Sequence, residues 1–141
     1  MFTATKIFKI QIAHRLSLNK SECKNIHGHQ LKIEIEIGRE YLNENYMVID
    51  YNDIKKIVME YLSSLDHSLL LNVVDKDIGI SICKKIKDQN ITYLDQDPTS
   101  ESMCYLLYHS LNKKFTEYDK NLIFKSITIW ESDESKVKFK I

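Results

Sequence analysis

Apolar and polar residues alternate without interruption in two stretches near the start of the chain. In the first, Phe2 to Arg15, Phe8, Ile10, Ile12 and His14 share one parity, and Ile7, Lys9, Gln11 and Ala13 share the other. In the second, Leu31, Ile33, Ile35 and Ile37 alternate with Lys32, Glu34 and Glu36, and Gly38 closes the run. A period of two predicts half-buried β-strands, in which residues two apart face the same way. Carried back to its start, the second strand adds His27 and His29 to its apolar face, as His14 extends that of the first. A polar turn region follows at Arg39 to Tyr46, then a short extended piece, Met47 to Tyr51.

The period then changes. Ile54, Ile57, Val58, Tyr61, Leu62 and Leu65 recur at helical spacing and predict an amphipathic helix over Asp53 to Leu65, capped by Asp50 or Asn52. Asp66-His67 sits just past its end. Leu69 to Asp77 reads as a connection, Ile78 to Lys87 as a short helix and Ile91 to Leu94 as a short extended piece. Pro98-Thr99 starts another helix, whose buried stripe is Met103, Leu106, Leu107, Ser110, Leu111 and Phe115. The chain closes with two strands. The first, Leu122 to Glu131, has Ile123, Ile127, Ile129 and Glu131 on one face. The second sets Val137, Phe139 and Ile141 against Lys136, Lys138 and Lys140, after a turn at Asp133-Glu134-Ser135. Strands early and late with helices between predict an α+β fold, one antiparallel sheet with helices on a single face.

Composition narrows the function classes. The 141 residues suit a single domain with a substantial core. Lys+Arg and Asp+Glu are 20 each, which argues against a nucleic-acid binder relying on bulk positive charge. There is no apolar run of membrane-spanning length and no secretory leader pattern, so no membrane partner is expected and the cytoplasm is the expected location. Cys23, Cys83 and Cys104 are odd in number and lack a CxxC pair, which fits reduced thiols.

His14, His27 and His29 each end an apolar strand face, and three imidazoles suit Zn²⁺, with an open fourth position marking a catalytic site. The His-x-His pattern alone is a weak signal. Cys23 reads equally as a small buried hydrophobe, as a reactive thiolate, or as a fourth zinc ligand. Asp66 beside His67 is an acid–base arrangement, set against a histidine that merely meets a helix terminus. Glu131 on an otherwise apolar face needs a partner, and its carboxylate matches two parallel N–H donors such as a pterin or guanine edge. Thr99, Ser100 and Glu101 at a helix start more often cap it. His109, Cys83 and Cys104 carry no assigned chemistry.

The chain resembles the 6-pyruvoyltetrahydropterin synthase / 6-carboxytetrahydropterin synthase family over nearly its full length. The resemblance is carried in order by Ala13-His14-Arg15-Leu16, Cys23-x-x-x-His27-Gly28-His29, Met47-Val48-Ile49-Asp50-Tyr51, Leu65-Asp66-His67, Pro98-Thr99-Ser100-Glu101 and Trp130-Glu131-Ser132. It implies a tunnelling (T-) fold, with a four-stranded antiparallel sheet backed by helices. Trimers, or dimers of trimers, would close a β-barrel with active sites at subunit interfaces. It implies His14, His27 and His29 as zinc ligands, Cys23 as the catalytic thiol, Asp66 and His67 as its acid–base partners, and Glu131, with Thr99 and Ser100, as the substrate anchor. The implied substrate is a pterin triphosphate, 7,8-dihydroneopterin triphosphate. The cysteine-to-histidine spacing resembles the carboxy branch, which acts in queuosine and other deazapurine pathways. The pyruvoyl product and a non-catalytic zinc- or pterin-binding module are the alternatives. Arg15, Lys20 and Lys24 are nearby cations for the triphosphate. Tyr46 stands where glycine is usual in the family, Ser132 where threonine is common, and the segment Val73 to Asp97 is longer than in the shortest members.

Overall fold

The two alternating stretches are strands, and they pair with each other. The computed structural model describes residues 1–141. In it β1 (Phe2–His14) and β2 (His27–Arg39) run antiparallel, from Phe2 opposite Arg39 to His14 opposite His27. Phe8, Ile10 and Ile12 of β1 and Leu31, Ile33, Ile35 and Ile37 of β2 are buried on one face, as their parity predicts.

At the C-terminal end, β5 (Ile123–Trp130) pairs antiparallel with β2, and β6 (Lys136–Lys140) with β5. One expectation fails here. Ile123 does not share the inner face with Ile127 and Ile129; it is exposed, and Phe124 is buried in its place. The register shifts at Glu36/Ile37, where Glu36 faces Ser126 but Ile37 faces Phe124. The extra residue, Lys125, forms a bulge, and a bulge reverses the parity of everything beyond it. Ile141 lies past β6 and is exposed, while Val137 and Phe139 pack against the core.

The sheet is larger than the four antiparallel strands expected. It has six, adding β3 (Ser68–Asn72) and β4 (Ile91–Leu94), in the order β4-β3-β1-β2-β5-β6. β3 runs parallel to β1, and β4 parallel to β3. The strand within Leu69 to Asp77 has no alternation because all five of its residues are buried. A strand covered on both faces reads as a plain apolar run.

Helices α1 (Tyr51–Leu65) and α3 (Ser100–Tyr118) enclose the main core. Asp50 caps α1, its carboxylate accepting from the Asn52 N–H at 2.7 Å, so the helix begins two residues before the predicted start. The piece expected to be extended from Met47 to Tyr51 bends at Val48 and Ile49, both buried, and Tyr51 already belongs to the helix. On α3, Leu106 is exposed, and Cys104 and Tyr108 complete the buried stripe. The Tyr108 hydroxyl donates to the Phe124 carbonyl at 2.8 Å. Burial pushes the Cys104 thiol up to about 11, which suits a packing residue rather than a reactive one. A third helix, α2 (Lys76–Lys85), meets the sheet at β4. Leu70 belongs to the main core, whereas its strand neighbours Leu69 and Leu71 are buried outside it. Tyr93, paired with Leu71, abuts Gly79 of α2. No helix is long and apolar enough to cross a membrane.

Candidate metal centre and active site

The β1–β2 register assembles the histidines. His14 sits directly opposite His27, and His29 is opposite Ile12, one step along the same face. The three ring centroids lie 4.6, 4.9 and 5.0 Å apart. One ligand nitrogen from each ring falls within 4.8 Å of the others.

Backbone carbonyls set two of the tautomers. His14 Nδ1 donates to the Pro98 carbonyl at 2.8 Å, and His27 Nδ1 donates to the Asn25 carbonyl at 2.7 Å. A carbonyl only accepts, so each neutral ring carries its proton on Nδ1 and leaves a lone pair on Nε2. Those two Nε2 atoms are 3.1 Å apart. Neither has a proton to share, so the contact is repulsive unless a cation lies between them. His29 Nε2 is buried without a hydrogen-bond partner. Burial also holds the His14 imidazole below the usual histidine range, which favours the neutral, ligating form. Converging lone pairs, a buried orphan nitrogen and carbonyl-oriented rings are what a metal ion bound by imidazoles requires. His14, His27 and His29 therefore fit a metal ion.

Glu131 and Ser100 join this cluster. Glu131 follows the last residue of β5, and its Oε2 accepts from the Ser100 hydroxyl at 2.7 Å. Its Oε1 lies 3.4 Å from His29 Nε2. Thr99 does something different: its hydroxyl caps α3 by accepting from the Ser102 N–H at 3.1 Å.

Cys23 lies in a short 3₁₀ turn, Glu22–Lys24, half-buried. Its carbonyl accepts from the Leu16 N–H at 2.9 Å across the loop. The group of mutually close ligand atoms holds the three imidazoles and not this thiol.

Asp66 and His67 are clamped to β1 on the side away from β2. Asp66 Oδ1 accepts from the Gln11 N–H at 2.8 Å, and the His67 N–H donates to the Gln11 carbonyl at 2.7 Å. The Gln11 hydrogen bond holds the Asp66 carboxyl below the usual carboxylate range. Asp66 Oδ1 also lies 3.1 Å from His67 Nδ1. His67 has φ +58°, a left-handed conformation that bulky residues rarely adopt. That turn aims its side chain outward, 77 % exposed, and no hydrogen bond ties the pair to the histidine cluster. One chain thus brings together His14, His27, His29, Glu131 and Ser100, and holds Asp66 and His67 apart from them. Of the cations near Cys23, Arg15 is paired with Asp75 at 3.3 Å, and Lys20 and Lys24 are exposed. The sequence reading missed Pro98 and Asn25, whose carbonyls act through backbone atoms and leave no side-chain signal.

A family model described as 6-pyruvoyl tetrahydropterin synthase matches residues 3–141. The chain belongs to this family. A 6-carboxy-5,6,7,8-tetrahydropterin synthase of Rickettsia typhi is 29 % identical to it over 139 residues, covering 98 % of this chain and 99 % of the relative. Its counterpart in Rickettsia bellii is 31 % identical over 121 residues, covering 85 % and 87 %. Among solved structures, an uncharacterized protein of Wolinella succinogenes superposes with a TM-score of 0.83 at 17 % identity, covering 99 % of this chain and 97 % of the other. The 6-pyruvoyl tetrahydropterin synthase of Caenorhabditis elegans superposes with a TM-score of 0.70 at 21 % identity, covering 99 % and 94 %. The α+β tunnelling fold of the family is thus the fold of this chain, with six strands in its sheet.

Proposed function

We propose that this family member is a zinc-dependent 6-carboxy-5,6,7,8-tetrahydropterin synthase acting on 7,8-dihydroneopterin triphosphate and releasing acetaldehyde and triphosphate. The observation that carries the reading is the convergence of three imidazoles, two oriented by carbonyls and the third with a ring nitrogen lacking a hydrogen bond, beside the Glu131 carboxylate. The 6-carboxy synthases among its relatives, in Rickettsia and also in Haemophilus influenzae, support the same product. Zinc held by His14, His27 and His29 would supply a Lewis acid for the substrate side chain.

The chain's own residues would do the rest. Glu131, steadied by the Ser100 hydroxyl, would receive one N–H of the pterin edge on Oε1 and the neighbouring N–H on the remaining lone pair of Oε2. Thr99 holds the first turn of α3 in place beneath Ser100. Cys23, as thiolate, would take a proton from one side of the substrate side chain, and His67 would act on the other side with Asp66 fixing its tautomer. His67 projects into solvent from its own chain, so its substrate would be the one bound by a neighbouring copy. That fits a homo-oligomer, a trimer or a dimer of trimers, joined through the open edges at β4 and β6. The proposed setting is cytoplasmic queuosine or deazapurine synthesis.

The test is to incubate the purified protein with zinc and substrate and to weigh the products. Acetaldehyde with 6-carboxytetrahydropterin is expected. A 6-pyruvoyl product without acetaldehyde would replace this reading with the other activity named in the family description. No turnover would leave a zinc- or pterin-binding module.

A further inference from the structure

Asp97 belongs to none of the groups described so far, yet its carboxylate joins three parts of the site. Oδ1 accepts from the Ser17 hydroxyl at 2.5 Å and from Asn72 Nδ2 at 2.8 Å, and Oδ2 accepts from the Leu18 N–H at 2.9 Å. Ser17 and Leu18 belong to the loop between β1 and β2. The Leu16 N–H bond to the Cys23 carbonyl ties that loop to the thiol-bearing turn. Asn72 ends β3 and is buried. The residue after Asp97 is Pro98, whose carbonyl receives His14 Nδ1. Asp97's own carbonyl accepts from the Thr99 N–H and the Ser102 hydroxyl, which seats it on the first turn of α3. Burial alone would raise its carboxyl, but the hydrogen bonds from Ser17, Asn72 and Leu18 outweigh it and leave Asp97 below the usual range.

We infer that Asp97 is a positioning residue that couples the orientation of His14 to the placement of the Cys23 loop. On one side it anchors the carbonyl that sets the His14 tautomer; on the other it fastens the segment carrying the thiol. The inference rests on reading His14 as a zinc ligand and Cys23 as the reactive thiol, and it needs no particular product.

Two substitutions separate the arms. Asp97→Asn keeps an oxygen for Ser17 and Asn72 but turns an NH₂ toward the Leu18 N–H, donor against donor. Ser17→Ala removes a loop tether only. Both are made in a Cys83→Ser background, because Cys83 is exposed and would react too. Circular dichroism checks folding, zinc affinity is measured by competition with a chromophoric chelator, and the iodoacetamide rate of Cys23 is measured with zinc saturating. Asp97→Asn is expected to weaken zinc about tenfold and to change the Cys23 rate at least about threefold. Ser17→Ala is expected to change the Cys23 rate alike while zinc affinity stays within about twofold. A purely structural Asp97 would lower thermal stability and move neither readout in the folded protein. A folded Asp97→Asn variant with zinc affinity or thiol rate unchanged overturns the inference. If Asp97→Asn does not fold, Ser17→Ala decides: an unchanged thiol rate overturns it, a changed one supports it. Neither assay uses substrate, so a failed product assay leaves this result standing.

Discussion

Zinc added to chelator-stripped protein should raise its melting temperature by an amount the geometry lets one estimate. His14 Nε2 and His27 Nε2 face each other at 3.1 Å with both Nδ1 protons committed to carbonyls, and His29 Nε2 is buried without a hydrogen bond, 3.4 Å from Glu131 Oε1. The folded chain therefore presents three oriented donors that the unfolded chain does not. At free zinc about one hundred times Kd, binding to the folded state alone stabilises by about 2.7 kcal/mol. Unfolding entropy near 2.1 cal/mol/K per residue, taken over 141 residues, is about 0.3 kcal/mol/K. The expected rise is then about 9 °C. Differential scanning fluorimetry with and without zinc measures it, and His27→Ala is the control. With two ligands left, the same zinc concentration should shift the melting temperature by no more than about 1–2 °C. The geometry makes a further demand: zinc-free His27→Ala should be no less stable than zinc-free parent, because it removes one of two opposed lone pairs. A zinc shift of equal size in His27→Ala, or none in the parent, would refute the assignment of these nitrogens to a metal.

The remaining predictions use other groups. Glu131→Gln keeps an oxygen for Ser100 but presents an NH₂ to a ring donor; losing one charge-assisted hydrogen bond of about 1.5–3 kcal/mol lowers kcat/KM roughly 10- to 150-fold, while the zinc shift is retained. Cys23→Ala should abolish turnover and leave zinc affinity within about twofold, since the thiol lies outside the ligand cluster; a large loss of affinity would make Cys23 a ligand instead. The pH dependence of zinc-free stability follows from His14, whose folded pKa lies below its unfolded value of 6.5. As pH falls through about 6.5 the unfolded chain takes up the proton first, so stability declines, by at most about 1.4 kcal/mol per pH unit, until the folded pKa is passed. Denaturant titrations should show that decline, and His14→Gln should flatten it. Gly79→Ala should destabilise by about 1–3 kcal/mol, because a Cβ there would overlap the Tyr93 hydroxyl. Tyr93→Phe in the same chain should recover part of the loss, read as a shift in the urea midpoint.

What was legible in the sequence depended on whether a residue sits between unlike environments. β1 and β2 have one wet face and one dry face, so alternation exposed their parity and placed three histidines at the ends of dry faces. α1 and α3 were legible for the same reason at helical spacing. β3 has no wet face, so Leu69 to Asn72 shows no period and reads as a connection; Ile91 to Leu94 reads as extended and is β4, but without β3 beside it nothing joins it to the sheet. The bulge at Lys125 leaves no compositional mark and reversed the reading of Ile123 and Phe124. At the site, Asp66-His67 stood out as a pair, but its aim depends on one backbone angle, φ +58° at His67.

Parity says which residues share a face but not which of them meet. A two-residue slip of β2 against β1 would keep every apolar side chain inside, because the side-chain period is two. Slipped one way, it would move His27 opposite Ile12 and leave His14 facing Asn25 instead of an imidazole. The hydrophobic effect scarcely distinguishes these registers. What separates them are contacts the pattern cannot show: the span of the loop that Asp97 ties down and the Pro98 carbonyl that waits for His14. The histidine cluster is therefore specified by loop and backbone hydrogen bonds acting on strands whose hydrophobic pattern alone would tolerate its loss, which is why Asp97→Asn, next to the Pro98 carbonyl, should reach His14 before it reaches the core.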